Sequence, residues 1–160
     1  MRTLLAVTAG CLAALIGAGQ AAAQNRHAAM DMHGSQEDAV KMVKEGVAYI
    51  RKNGEDKGYA EITRTDGRFR DGATYLVVYG LDGMVRAHGQ NHKMVDKNLI
   101  SLRDIDGKPY IRETVERARG DDEFWMDHKF TNPMTRKIQP MRMYCERLDD
   151  SVICSGHFMH

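Results

Sequence analysis

Apolar residues recur at intervals of three and four in the segment that begins near residue 35. The repeat consists of Val40, Val43, Val47 and Ile50. This spacing predicts one buried stripe along an amphipathic helix. Ser35 stands where a helix N-cap is expected, and Asn53-Gly54 is typical of a helix end. A short helical or irregular stretch follows, up to about residue 63.

From Ala73 the pattern changes to one that is typical of strands. The stretch "ATYLVVYGL" is rich in β-branched and aromatic residues, and the Asp82-Gly83 turn and "MVRAHG" come after it. This pattern predicts a β-hairpin with a two-residue turn. Its register pairs Tyr79 with Arg86 and Val77 with His88. One face of the hairpin should then carry Tyr75, Val77, Tyr79, Arg86 and His88.

The second half of the chain predicts one helix and three more strands. Residues 90–108 are mostly loop, and a helix is expected from Pro109 to about Arg119, ended by Gly120. Strands are expected near residues 123–130, 138–147 and 151–158. Because tight turns join most of the strands, the sheet should be antiparallel, in a single α+β domain.

The N-terminus has the pattern of a secretory signal peptide. Arg2 precedes an apolar run from residue 4 to about residue 18, and three alanines at 21–23 follow. We expect a signal peptide at residues 1–23, a flexible leader at 24–34 and the domain at 35–160. The protein would then be periplasmic or secreted, without a membrane span after cleavage. An uncleaved anchor is the alternative.

Charge and motifs exclude several functional classes. The 23 basic residues exceed the 22 acidic ones by one, so the chain without Arg2 is neutral. A neutral surface gives no electrostatic reason to expect nucleic acid or an anionic membrane as a partner. The sequence has no nucleophile elbow, zinc-protease motif or phosphate-binding loop. We therefore expect neither enzymatic activity nor a cofactor.

Two cysteines remain after the signal segment, and their spacing indicates a disulfide. If Asp149-Asp150 forms a two-residue turn, Cys145 lies directly opposite Cys154 in a non-hydrogen-bonded pair. Exported proteins form disulfides readily. The register therefore predicts a Cys145–Cys154 bond; a metal or redox role and free buried thiols are the alternatives.

Three stretches follow one another in the chain: "YLVVYGLDGMVRAHG", "KNLISLRDIDGKPYIRETVERA" and "FWMDHKFTNPMTRKIQPMRMYCER". In this order they resemble the type 2 single Cache domain of bacterial extracytoplasmic sensors. The resemblance implies a PAS-like antiparallel sheet with a long N-terminal helix, a second helix packed across the sheet, and a pocket on one sheet face. That pocket would bind a small organic acid, amino acid or amine. In this family the domain usually feeds a membrane receptor. Because no second membrane segment, kinase or methyl-accepting region is seen in the sequence, we expect a stand-alone secreted binding domain whose signalling partner is a separate membrane receptor or kinase.

The ligand-binding residues that we expect combine the hairpin face with the family positions. They are Tyr79, Arg86, His88, Trp125, His128, Arg142 and Tyr144. His128 replaces a family Tyr, and Met141 stands where a Lys is common, so Arg142 or Arg86 would have to supply a charge for a carboxylate. Trp125 and His128 lie three apart and should face opposite sides of an ideal strand. Trp125 is the preferred member of that pair.

An excess of methionine and histidine suggests an alternative function. The chain has 11 Met, and His27, Met30, Met32 and His33 lie close together. The chain also ends in "HFMH". Thioether and imidazole groups are ligands that suit copper. A periplasmic copper-binding protein is therefore the alternative to the sensor hypothesis. Ordinary core methionines and a solvated leader would explain the same residues without a metal.

Overall fold

The structure is a computed structural model, which describes residues 32–159. The helices within that range are α1 (Gln36–Asn53), α2 (Glu55–Thr63), a 3₁₀ turn (His92–Met94) and α3 (Tyr110–Ala118). The strands are β1 (Arg70–Asp71), β2 (Thr74–Gly80), β3 (Val85–His88), β4 (Glu123–Thr131), β5 (Ile138–Leu148) and β6 (Ser151–Phe158). The predicted α+β fold with an antiparallel sheet is confirmed.

Helix α1 begins and ends at the residues that the sequence indicates. The Ser35 hydroxyl oxygen accepts the backbone N–H of Asp38, and the Gly54 N–H donates to Ile50 O at 2.8 Å. Gly54 has φ 85°, a conformation that glycine adopts without strain. The apolar stripe lies against the sheet. Gly46 permits this close approach, because a Cβ there would lie 2.4 Å from Leu76 Cδ1.

The sheet places the first long strand next to the last. The main order is β3–β2–β6–β5–β4, all antiparallel, with β1 pairing with the beginning of β2. Leu76 lies opposite Ser155, a contact that spans most of the domain's sequence. Helices α1 and α2 pack on one face of this sheet, and α3 packs on the other.

The β2–β3 hairpin departs from its predicted register at one residue. Val77 pairs with His88 as expected, but Tyr79 pairs with Val85 and not with Arg86. Gly83 has φ 85°, and Gly80 N donates to Met84 O, so three residues form the loop instead of two. A β-bulge between Val78 and Tyr79 restores the register further from the turn.

The β5–β6 hairpin has the predicted register throughout. Leu148 lies opposite Ser151, and Cys145 lies opposite Cys154. The two cysteines form a disulfide, with their Cα atoms 4.1 Å apart. Both are fully buried on the face that α3 covers.

The N-terminal predictions fall largely outside the described residues. The signal segment and most of the leader lie there. Residues 32–34 are described, and they contact the sheet: Phe158 N donates to His33 O at 2.7 Å, and the Asn132 amide donates to Met32 O at 2.8 Å. No helix in the described part of the chain has the length and apolarity that a membrane crossing requires.

Candidate functional site

A small cavity lies on the sheet face that α3 covers. Its lining comes from the five strands β2 to β6 and from the beginning of α3. The lining residues are Tyr75, Val77, Tyr79, His88, Tyr110, His128, Phe130, Met141, Met143, Ser155 and Gly156. Its volume is about 10 Å³, about the room that one water molecule needs. The walls are aromatic rings, thioethers and two imidazoles, and no charged side chain of the described residues lines the cavity.

A glycine creates the depression in the sheet. Gly156 lies opposite Met143, between Cys154 and Phe158 on the same face of β6. Its missing side chain leaves space, which the Met141 side chain partly occupies. A Cβ at Gly156 would lie 2.5 Å from Met141 Cε and 2.9 Å from Arg142 O.

The His88 ring is held in one tautomer by the loop that follows it. Its Nδ1 accepts the backbone N–H of Gln90 at 3.2 Å and that of Asn91 at 3.0 Å. A nitrogen that accepts two N–H groups cannot carry a proton, so the neutral ring is protonated at Nε2. Burial lowers the pKa of His88 to about 4, so the ring is neutral at pH 7. His88 therefore offers a ligand an N–H donor and no charge.

His128 and Tyr110 form a stacked pair on the other side of the cavity. Their ring centroids lie 4.4 Å apart with the planes 10° from parallel. The Tyr110 hydroxyl and His128 Nδ1 are both buried without a hydrogen-bond partner. Burial lowers the pKa of His128 to about 4, although the Asp104 carboxylate acts in the opposite direction. Unpaired buried polar atoms are costly, and both of these atoms belong to rings that line the cavity.

The tautomer of His88 argues against a metal in the cavity. A metal-bound imidazole normally donates its second N–H to an acceptor. In His88 the second nitrogen is itself the acceptor, so Nε2 holds a proton and has no free lone pair for a metal. Within residues 32–159, no group of three or more His, Cys, Asp or Glu side chains is placed to hold a metal ion.

Three of the seven expected ligand-binding residues line the cavity. They are Tyr79, His88 and His128. Arg86 does not, because the bulge in β3 displaces it. Its Nε lies 2.8 Å from where a Gly80 Cβ would be, and strand alternation puts Gly80 on the face opposite Tyr79. The guanidinium forms an ion pair with Asp82 at 2.7 Å.

The other three expected residues lie on the sheet face that α1 covers. Trp125, Arg142 and Tyr144 alternate with residues that face the cavity, so none of the three can contact a ligand there. Arg142 donates to both carboxylate oxygens of Asp127, at 2.8 and 3.0 Å. The Tyr144 hydroxyl donates to Glu123 at 2.6 Å. Trp125 packs against Tyr144.

The regular β4–β5 register confirms that Trp125 and His128 face opposite sides. No bulge interrupts their strand. The preference between them is reversed, however, because His128 is the residue at the cavity. His128 and Met141 are directly opposed across β4 and β5. Both residues depart from the family pattern, and they are therefore neighbours in the cavity lining.

Sequence reasoning missed part of the lining. Tyr110 at the beginning of α3 and Phe130 on β4 line the cavity, as do Met141 and Met143 on β5. The alternation along β5 groups Met141 with Met143 but does not tell which face holds a cavity. Tyr75 was placed on the correct hairpin face, where it stacks on His88 with ring centroids 5.3 Å apart.

Half of the residues proposed for copper binding lie outside the described residues. His27 and Met30 are among the residues that are not described, and so is His160. Met32 and His33 are described, and their carbonyl oxygens accept hydrogen bonds from the domain. Three of the methionines, Met126, Met141 and Met143, are buried in the core, which accounts for part of the methionine excess without a metal.

The chain matches one family model over most of its length. The model is Single Cache domain 2, and the match covers residues 18–160. No curated protein matches the chain by sequence.

Several solved structures have a similar fold. A methyl-accepting chemotaxis protein from Vibrio parahaemolyticus has 22% identity and a TM-score of 0.64, over 76% of this chain and 86% of that one. A periplasmic sensor domain of a chemotaxis protein has 20% identity and a TM-score of 0.58, over 78% and 90%. A Cache chemosensory domain, described for carboxylic acid recognition, has 14% identity and a TM-score of 0.65, over 78% and 92%. At these identities the likeness shows the fold alone.

Proposed function

Because this chain belongs to the single Cache domain 2 family, we propose that it is an extracytoplasmic binding domain for a small organic acid, amino acid or amine. Cache domains are ligand-binding sensor domains. One observation carries the proposal for this chain: two buried polar atoms without partners, Tyr110 Oη and His128 Nδ1, belong to rings that line one cavity. A binding role, without catalysis, accounts for this arrangement.

The cavity chemistry favours an organic acid among these ligand classes. The His88 Nε2–H is a donor, so the ligand group beside it has to be an acceptor, such as a carboxylate oxygen. The Tyr110 hydroxyl is a second group that can donate, and it has no partner among the described residues. The walls of Tyr75, Phe130 and the two thioethers suit a short apolar body. The similar Cache domain described for carboxylic acid recognition is consistent with this choice.

Ligand entry requires the lining to move. About 10 Å³ of open space accommodates no metabolite, so side chains must rearrange on binding. Met141 and Met143 are suited to this because an unbranched thioether side chain changes shape easily. We expect a bound ligand to be almost completely enclosed, and its release to be slow relative to that from an open groove.

We propose that a second component converts the binding event into a signal. We propose a separate membrane receptor or kinase in that role, with the domain exported to the periplasm or beyond the cell. The copper-binding alternative, through His27, Met30, Met32 and His33, predicts that copper stabilises the protein and that metabolites do not. Thermal-shift screening separates the two functions.

Thermal-shift screening tests the proposed function directly. The purified protein is heated with organic acids, amino acids, amines, Cu(I) or Cu(II). We expect one metabolite class, the organic acids, to raise the melting temperature because bound ligand stabilises the folded state by mass action. A shift caused by copper only, and lost on removal of residues 24–34, would support the metal hypothesis and contradict ours.

Two variants of His88 locate the effect in the cavity. His88→Asn places a side-chain oxygen near the Nδ1 position, so the loop keeps an acceptor while the Nε2–H is lost; ligand stabilisation should disappear. Arg86→Ala is the matched control on the same strand, since Arg86 contacts Asp82 and not the cavity. It should retain the full ligand shift. Equal losses in both variants would contradict a site at His88.

A further inference from the structure

His128 is the histidine of the cavity lining whose ring nitrogens have no fixed hydrogen-bond partner among the described residues. It is 7% exposed, packs against the Tyr110 ring, and lies opposite the uncharged Met141 on β5. Its Nδ1 has no hydrogen-bond partner. A ligand that brings a negative charge into the cavity would therefore meet an imidazole with a free nitrogen.

We propose that the cavity binds a small organic anion together with one proton, which His128 takes up from solvent. This inference rests on the proposed function and adds the charge state of the complex. The reaction is a binding equilibrium: neutral His128, one carboxylate and one proton give an imidazolium–carboxylate pair. No bond of the ligand is broken, and the net charge of the cavity remains zero.

The described residues that line the cavity carry no permanent positive charge. A buried carboxylate is very costly unless it is paired with a positive charge and hydrogen-bonded. Arg86 and Arg142 are held on the other face by Asp82 and Asp127. The lining residues offer only neutral donors, so proton uptake is the one route by which the described lining can become positive.

The hydrogen bonds of the two histidines decide which ring takes the proton. Protonation of His88 at Nδ1 would break its bonds from Gln90 N and Asn91 N. His128 loses no such bond. The titratable groups facing it across the cavity are His88, Tyr75, Tyr79 and Tyr110, and all of these are neutral at pH 7.

Charged groups near His128 lie outside the cavity and are already engaged. Asp104 accepts the backbone N–H groups of Asp106, Lys108 and Lys129. Lys108 donates to Asp127 O and forms an ion pair with Glu113. Asp104 and Asp127 favour the protonated ring and Lys108 opposes it. These groups modulate the proton affinity of His128 but cannot neutralise a ligand in the cavity.

The proposal predicts the direction of the pH dependence. In the free protein the pKa of His128 is about 4, and an adjacent carboxylate would raise it. Between the free and the bound pKa values, each unit of decreasing pH should strengthen anion binding about tenfold. An anion held by neutral donors alone would bind equally well across that range.

Titration calorimetry with propionate as the probe tests this proposal. Propionate is an anion above about pH 6 and has a short apolar body. We measure binding to the full protein from pH 6 to 7.5, in two buffers of different ionisation enthalpy. The expected results are an uptake of close to one proton and a Kd that decreases about tenfold from pH 7 to pH 6.

His128→Asn separates the protein's proton from that of the ligand. The amide keeps a polar group near the Nδ1 position but does not titrate, so this variant should bind more weakly and without proton uptake. Proton uptake that persists in His128→Asn, or propionate binding that does not depend on pH in the wild type, would overturn the inference and leave the proposed function intact. Stabilisation by neutral or cationic metabolites, without propionate binding, would also overturn the inference alone. If no metabolite binds, both fail.

Discussion

His88 and His128 lie in one cavity and have similar burial, yet their rings play different chemical roles. The His88 ring is fixed by two backbone N–H donors, so its tautomer and its neutral state are set by the fold. The His128 ring has a stacking partner but no partner for Nδ1. At the scale of the residue, hydrogen bonds and not burial determine which imidazole can respond to a ligand.

The two buried histidines should make the free protein less stable in acid. Both have a pKa of about 4 when folded, below the usual value of 6.5, because burial disfavours the charged ring. The unfolded chain therefore binds more protons between pH 6.5 and pH 4, and stability decreases as the pH falls through that range. Each histidine should cost about 2 kcal/mol of unfolding free energy between pH 7 and pH 5.

Urea unfolding at pH 7 and pH 5, in the absence of ligand, measures this effect. His128→Asn should lose about 2 kcal/mol less than the wild type over that interval, since it removes one titrating ring. A pH dependence that is the same in the variant and the wild type would show that His128 is not buried in its neutral form.

The β5–β6 hairpin determines both the cavity floor and the disulfide. Its tight turn at Asp149-Asp150 sets a register that brings Cys145 opposite Cys154 and Gly156 opposite Met143. The same alternation turns Arg142 and Tyr144 to the other face. At the scale of the element, one turn fixes the position of a covalent bond and of an empty space two residues further along β6.

Loss of the disulfide should lower stability but leave the fold intact. The cross-link closes a short loop, and a loop of this size contributes about 2–3 kcal/mol. The double variant Cys145→Ala/Cys154→Ala should unfold at lower urea concentration, by about that free energy, with an unchanged far-UV circular dichroism spectrum. The wild type should show no alkylation of these two cysteines without a reductant; alkylation of both would contradict the bond.

A side chain at Gly156 should obstruct the cavity. In Gly156→Ala the new methyl group would meet Met141 Cε and Arg142 O, so the floor has to shift. We expect a loss of about 1–3 kcal/mol, as for other overpacked sites, and a loss of ligand stabilisation in the thermal-shift assay.

Gly120→Ala is the matched control for this substitution. Its Cβ would have its nearest neighbour, Arg117 O, 4.0 Å away, so stability and the ligand shift should change little. Undiminished ligand stabilisation in Gly156→Ala would place the binding site away from the sheet centre.

At the scale of the whole molecule, the sequence predicted local structure better than the site. Helix α1, the β5–β6 hairpin and the disulfide depend on short-range patterns, and these predictions are confirmed. The β2–β3 hairpin forms where the pattern predicts it, but its loop has three residues and not two. The pairing of β2 with β6 joins residues 71 to 79 positions apart, from Gly80 opposite Ser151 to Leu76 opposite Ser155, and no local pattern encodes it.

The site residues were harder to predict because they depend on which sheet face each strand turns to the cavity. Alternation groups Met141 with Met143 and Arg142 with Tyr144, but it does not say which group lies under α3. A single bulge in the β2–β3 hairpin moved Arg86 away from Tyr79. Tyr110 reaches the cavity from a helix, and only tertiary packing brings it there.

The ring ¹⁵N spectrum of the histidines, recorded with and without propionate, reports directly whether the ligand occupies this cavity. We predict that the signals of His88 and His128 shift on binding, with the His128 ring moving toward its protonated form. Signals of the exposed His92 and of His157, on the other sheet face, should stay in place. A shift confined to His92 or His157, with His88 and His128 unchanged, would contradict a ligand site in this cavity.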